Sequence, residues 1–459
     1  MFYSRAKEKK QLKDVLQGSS ICLYGKRRVG KTSLIKAALE GSKYIYYECV
    51  KDTLSANLSL FIIELRRNGI DLPSYAHFSS FIEVFDFLSD KEEVRAVVLD
   101  EYPYLKEFEN ENKVDSLFQS IIDHHRGHLG ILLCGSSIAS MTKLLVEGNP
   151  LFGRFNATIS LDEFSYLEAS LFYPNKSVYE KVAFHAVFGG SPFVNKSINP
   201  SLSLKENIKA TFLKEGSEVY NYADSVLLTG VDNAPHAKRV LSALSNSKKR
   251  NNELVATLDE NKTGIIARSL ASLLSGNVIR LVYPINKKDD KKKAFYEIAD
   301  NALRFYYTFV YPNKSQLVVL GEEAFYEAYI APSIVTFVAH RFEELVRGYF
   351  SLLARLGRLS GVRDIGVYYF DDKANHKNGE FDVALQFGSA ANRTYAIYEV
   401  KYLERKMKLP LLEAEAEKIK AIKELPVEEI GFVSVNGFEE KPEGYRYIEG
   451  NELYELPID

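Results

Sequence analysis

The sequence predicts an α/β protein that opens with a parallel sheet covered by helices on both faces. Two patterns predict it. Short apolar runs at 21–24, 44–47, 96–99, 130–134 and 157–161 read as strands. Between them lie segments with apolar residues at helical spacing, for instance 32–39 and 114–125. Strands that alternate with helices pair in parallel, because each helix carries the chain back across the sheet.

At 459 residues the chain exceeds one ordinary core, so several domains are expected. The boundaries fall at 1–161 for the parallel sheet, 162–235 for a mainly helical segment, 236–312 for a third unit and 313–459 for a fourth. Residues 162–235 carry a tight Phe188-Gly189-Gly190-Ser191-Pro192 turn between two helical stretches. From 236 the pattern is three helices (238–244, 253–256, 264–274) and two strands (278–283, 294–298) joined by a charged loop at 287–293, the layout of a winged helix. The last unit opens with a helix at 335–353 and continues with strands at 367–370, 381–387 and 395–401. A helix at 411–423 and a strand at 430–435 complete an α/β/α layout.

Composition excludes several classes. The net charge of -2 rules out indiscriminate coating of nucleic acid, so any DNA contact must come from a local basic patch. No apolar run approaches the roughly 20 residues of a membrane helix. The charged N-terminus does not read as a secretion signal. Cys22, Cys49 and Cys134 lie in or beside apolar runs and are expected as free buried thiols in a cytoplasmic protein.

Gly25-Lys26-Arg27-Arg28-Val29-Gly30-Lys31-Thr32 has the G-x-x-x-x-G-K-[ST] spacing of a phosphate-binding loop, with Ser33 following. The glycines let backbone N–H groups converge on phosphate oxygens, and the helix beginning near Lys31 adds its positive end. Lys31 is expected on the β and γ phosphates of ATP and the Thr32 hydroxyl on Mg²⁺. The loop follows an apolar strand and opens an apolar-periodic helix, as this chemistry requires. Asp100 ends the strand at 96–99, where a carboxylate holds Mg²⁺, and Glu101 is placed to polarise the attacking water. Ser136, after the strand at 130–134, is expected to sense the γ-phosphate. Arg154 is expected either to supply charge to the transition state or to lie free on the surface. His124, His125 and His128 cluster at a helix end and read as a solvated face rather than a metal site.

Together these elements resemble the STAND branch of the AAA+-related ATPases, specifically the archaeal-type ATPases also widespread in bacteria. The opening Phe2 to Glu8 with Leu12 resembles the family's Arg-x-x-Glu lead-in, Gly25 to Ser33 its phosphate loop, and Leu99 to Tyr102 its acidic pair. Pro150 to Arg154 resembles its arginine segment, and Asp300 to Tyr306 its segment after the winged helix. Gly190-Ser191-Pro192 resembles the Gly-x-Pro turn, whose proline the resemblance places near adenine. The resemblance implies a P-loop sheet, a helical lid and a winged helix that close over ATP as a slow switch.

In the last unit, Asp382 begins a strand of an expected hairpin, and Glu399 and Lys401, two apart, face the same side of its partner. Two carboxylates can hold a divalent cation that activates water, and a lysine can orient that water and offset charge. Glu343, in the preceding helix, adds a further acid. The arrangement is similar to the PD-(D/E)xK restriction-endonuclease-like fold, with Phe381 where the named pattern has proline. An alternating strand with a charged outer face gives the same spacing without any site. The expected recognition helix at 264–274 carries Arg268 as its single charge, so direct DNA contact by this module is the weaker expectation.

The functional reading is an ATP-gated cytoplasmic switch with a nuclease-type effector acting on DNA. Two others stay open: a nucleotide-controlled DNA- or protein-binding regulator with an inactive last domain, and a signalling ATPase with a protein trigger. Homo-oligomerisation, and whether Arg154 acts within one chain or across subunits, also stay open.

Overall fold

The computed structural model describes residues 4–72, 77–125, 127–223, 226, 234–258, 263–288, 290, 293–372, 377–389, 392–422 and 425–458. Phe2 and Tyr3 of the lead-in, Asp289, Lys291 and Lys292 of the charged loop, and Lys423 at the end of an expected helix lie outside them. So do parts of the helical segment's end. The chain forms two compact units, Met1–Glu163 and Phe164–Ile458.

In the first unit, five strands form one parallel sheet: β1 (Ser20–Tyr24), β2 (Tyr44–Glu48), β3 (Ala96–Asp100), β4 (Gly130–Gly135) and β5 (Ala157–Ser160). Their order is β2-β3-β4-β1-β5. Successive residues of a strand point to opposite faces, and the two cores follow that alternation. Ile21, Leu23, Ala96, Val98, Leu132 and Cys134 pack with Leu34 and Ile35 of helix Lys31–Leu39. Cys22, Val97, Leu99, Ile131 and Leu133 pack with Phe61, Phe85 and Phe118, from helices Leu54–Arg67, Phe81–Ser89 and Glu111–His125. All-parallel strands buried on both faces read as continuous apolar runs, which is why their positions were legible. The parallel order also brings the carboxyl ends of β1, β3 and β4 to one edge, where an α/β sheet binds its ligands. All three cysteines are free and buried.

The second unit begins with helices Tyr166–Ser170, Val178–Phe188, Pro192–Asn195 and Leu204–Ile208. Gly190 has no room for a side chain: a Cβ there would lie 2.0 Å from the Phe164 carbonyl oxygen. Helices Ala234–Leu244, Asn251–Leu258 and Thr263–Ser275 precede an antiparallel pair, β6 (Ile279–Val282) and β7 (Phe295–Ile298). Arg280 on β6 bonds Glu297 at 2.6 Å and also Glu344, which lies on helix Ile334–Arg355. Of the three, Glu297 is buried, and its charge is tolerated there because it is paired.

The remaining strands are β8 (Asp364–Asp372), β9 (Lys377–Gly388), β10 (Arg393–Lys401), β11 (Val427–Ser434) and β12 (Arg446–Glu449), in the sheet order β12-β11-β10-β9-β8. β8, β9 and β10 are antiparallel neighbours, whereas β10–β11 and β11–β12 are parallel, which needs a crossover such as helix Leu409–Lys420. Val383, Leu385, Ala396 and Tyr398 face Phe342, Val346 and Phe350 of helix Ile334–Arg355. Ala384 and Ile397 face the opposite way with Ile419. β12 was not anticipated; its four residues carry too little pattern to separate a strand from a loop. The edge strand β8 is covered in part by the segment after β6, where the Ile285 amide donates to Val367 O at 2.8 Å.

Candidate functional site

The phosphate loop runs from the end of β1 into helix Lys31–Leu39. Gly25 packs so closely on β5's exit that a Cβ there would sit 2.2 Å from Leu161 O. Arg28 and Gly30 have φ of 68° and 95°, the left-handed turns that curl such a loop into an anion-binding nest. The buried Lys31 ammonium donates to Gly25 O at 2.8 Å and Lys26 O at 3.1 Å, so it is held inside the loop. Lys26 pairs with Glu163 at 3.3 Å, and Arg27 donates to the Tyr104 hydroxyl at 2.7 Å. Val29 is buried and anchors the loop to the core, while Ser33 is exposed on the first helical turn.

β3 delivers the acidic pair beside it. Thr32 Oγ1 donates to Asp100 Oδ2 at 3.3 Å, and the Tyr46 hydroxyl donates to the same oxygen. Burial first, and then the Asp100 charge, push the Tyr46 phenol well above its ordinary value, so it stays a donor. Thr32 and Asp100 offer hard oxygens of the kind Mg²⁺ takes. Glu101 sits at φ 51°, an uncommon conformation for a residue with a side chain. Its Oε2 accepts from the Ser136 amide at 3.0 Å and from Ser136 Oγ at 2.8 Å.

Ser136 therefore contacts the candidate base. Ser136→Ala removes one of two donors to that carboxylate, so ATP turnover is expected to fall about 3- to 10-fold, the worth of one charge-assisted hydrogen bond. ATP affinity should stay close to wild type in a parallel nucleotide titration. An unchanged turnover with weaker binding would point back to direct phosphate contact.

Arg154 is not brought to the loop; it bonds Phe152 O at 3.0 Å and lies 3.5 Å from Asp123. Pro192 starts its short helix in the second unit and is buried. The histidines require a correction. His124 is exposed, but the His125 imidazole is 4% exposed and lies 3.0 Å from Asp86. Helical phase turns it toward Phe81–Ser89, a helix missing from the predicted elements.

The second cluster lies in the C-terminal sheet. β9 and β10 pair Val383 with Tyr398, so Asp382 and Glu399 follow side by side. Lys401 Nζ bonds Glu399 Oε1 at 2.7 Å and lies 3.1 Å from Glu415, on helix Leu409–Lys420. Arg347 Nη1 donates to Asp382 O at 2.6 Å, Lys248 pairs with Glu380 at 2.8 Å, and His340 stands 3.8 Å from Glu343. Burial and then the Glu343 and Glu380 charges push the Asp382 carboxyl up to about 7, beyond what Lys248 and Arg347 offset. Burial raises Glu399 as well, against the pull of Lys401. Burial opposes the Lys401 charge, but Glu399 and Glu415 outweigh it and hold the ammonium above its usual range.

Carboxylates raised mainly by burial gain from a bound cation, and an all-oxygen donor set suits a hard divalent one. Glu343, Asp382 and Glu399 do not, however, bring three oxygens within 4.8 Å of one another. Glu415, Arg347, Lys248 and His340 were missed in the sequence, where nothing separates them from ordinary helix and loop charges.

Residues 2–191 match the family model of an ATPase domain predominantly from Archaea. Residues 306–419 match a family of archaeal and bacterial proteins of unknown function. An uncharacterized protein of Methanocaldococcus jannaschii is 26% identical over 335 residues, which cover 69% of this chain and 70% of that protein. Among solved structures, the Walker-type ATPase of Pyrococcus abyssi is 20% identical with a TM-score of 0.48, covering 67% of this chain and 96% of that one. The ORC2 protein of Aeropyrum pernix, solved with ADPNP and ADP, is 13% identical with a TM-score of 0.46, covering 66% and 92%. No helix among the described residues is long and apolar enough to cross a membrane.

Proposed function

We propose that the chain is an ATP-binding and ATP-hydrolysing switch coupled to a metal-dependent, nuclease-type centre acting on DNA. The observation that carries the first half is the meeting of Lys31, Thr32, Asp100 and Glu101 at one edge of the sheet. Lys31 is the phosphate ligand, Glu101 the base that takes a proton from the attacking water, and Ser136 the residue that orients Glu101. Mg²⁺, held by Thr32 and Asp100, would offset charge on the phosphate oxygens. Arg154 reaches the phosphates only if it leaves Asp123, and Pro192 is assigned to the adenine on the resemblance alone. Residues 236–312 are read as a winged helix from their three helices and antiparallel pair. The buried free cysteines suit the reducing cytoplasm.

The second half rests on the convergence of Asp382, Glu399 and Lys401, with the helix–three strands–helix–strand order that a PD-(D/E)xK unit requires. Asp382 and Glu399, with Glu343 behind them, would hold the cation, which would lower the pKa of a bound water. Lys401 would orient that water and balance charge on the phosphodiester. One observation favours a regulator with an inactive last unit: the Lys401 ammonium is engaged by two carboxylates, which must open before it meets a substrate.

Incubation with duplex and single-stranded DNA, with Mg²⁺ or Mn²⁺ and with and without ATP, separates the two. Nicking that disappears in Lys401→Ala supports the nuclease. Equal inertness of wild type and Lys401→Ala, with ATP still hydrolysed, sinks it and leaves the regulator.

A further inference from the structure

We propose that Asp86, His124 and His125 bind a divalent transition cation of the zinc class, which clamps helix Phe81–Ser89 to helix Glu111–His125. One carboxylate oxygen and two imidazole nitrogens lie within 4.8 Å of one another. His125 Nε2 is 3.0 Å from Asp86 Oδ1, and His124 Nε2 is 3.9 Å from the same oxygen. Around a tetrahedral zinc with bonds of about 2.0–2.2 Å, ligand atoms stand roughly 3.3 Å apart, between those two separations. The two imidazole planes are nearly perpendicular, at 89° with centroids 4.9 Å apart, so the rings meet edge to face rather than stacked.

A plain histidine–carboxylate hydrogen bond is the ordinary explanation of such a contact. Here it leaves a residue unexplained. The His125 side chain is 4% exposed, and its Nε2 and the buried Asp86 Oδ1 face each other with no further hydrogen-bond partner. Two buried lone-pair atoms 3.0 Å apart need a proton or a cation between them. Two nitrogens and one oxygen select zinc, cobalt or nickel over magnesium and calcium, which prefer all-oxygen shells. His124 and the Asp86 carboxylate are partly open to solvent, leaving room for a water as fourth ligand. Both helices cover the same face of the parallel sheet, where Phe85 and Phe118 meet edge to face. A bound cation therefore cross-links the layer that packs on β3 and β4.

The test uses full-length protein stripped with EDTA and titrated calorimetrically with Zn²⁺ in excess Mg²⁺, which occupies the all-oxygen sites. Co²⁺ in place of Zn²⁺ reports coordination by its visible absorption. Wild type is expected to bind one Zn²⁺ and to gain thermal stability from it. His124→Ala, which alters an exposed side chain and spares the fold, should lose at least about tenfold in affinity, together with the Co²⁺ band. Asp86→Asn should do the same. Failure of wild type to bind Zn²⁺ under Mg²⁺ overturns the proposal. So does equal affinity, absorption and thermal gain in wild type, His124→Ala and Asp86→Asn, which would place the metal elsewhere.

Discussion

Glu101→Gln is expected to reduce ATP turnover by about 10²- to 10⁴-fold while leaving nucleotide affinity within a few-fold of wild type. The amide keeps the size of the carboxylate and can still accept from the Ser136 amide and hydroxyl, so the turn at φ 51° has no new reason to rearrange. It cannot accept a proton from water. Lys31→Ala is expected to behave differently. Lys31 is the ammonium buried in the loop, so its loss removes charge from both the bound nucleotide and the transition state and weakens binding and turnover together. Phosphate release and binding of a fluorescent ATP analogue, measured on both variants, make the comparison. If Glu101→Gln turns over at the wild-type rate, Glu101 is not the base and the acidic pair serves the cation alone.

Asp382→Asn is expected to make the protein more stable at neutral and alkaline pH, at the expense of its candidate chemistry. In the folded chain the Asp382 carboxyl is pushed up to about 7, from an ordinary 3.8. A carboxyl raised on folding contributes stability that is complete below its unfolded pKa and is lost as pH rises through the folded one. Asparagine never ionises, so the variant keeps that stability. The gap in thermal midpoint should open between about pH 4 and about pH 7 and close again below that window. A three-unit shift sets a ceiling of about 4 kcal/mol, and relaxation of a half-buried group brings the expected gain to roughly 1–3 kcal/mol, or several degrees. Mg²⁺ or Mn²⁺ should raise the wild-type midpoint and move the variant little. A variant less stable than wild type at every pH would mean that Asp382 is a structural hydrogen-bond partner and not a strained ligand.

Both predictions begin from residues visible in the sequence, for a physical reason. Phosphate binding at a strand–helix junction needs glycine at fixed positions and a lysine beside them, so Gly25, Gly30 and Lys31 declare themselves by spacing. The two-residue period of a strand puts Glu399 and Lys401 on one side, and their side chains do meet at 2.7 Å. Asp100 was legible because it closes an apolar run whose buried face left few alternatives.

Contacts between distant segments were not legible. Ser136 meets Glu101 across 35 residues, and Tyr46 meets Asp100 across 54, because the order β2-β3-β4-β1-β5 sets those strand ends side by side. Local periodicity carries no information on strand order. The same holds for Glu415 against Lys401, for Asp123 against Arg154, and for Asp86 against the buried His125. The sequence by itself singled out the groups proposed to carry chemistry: the phosphate loop, the acidic pair and the Asp382–Glu399–Lys401 set. Only the tertiary structure decided which charge faces which. The pairing of side chains, and through it the protonation of Asp382 and the surroundings of His125, depends on how helices and strands far apart in the chain are packed.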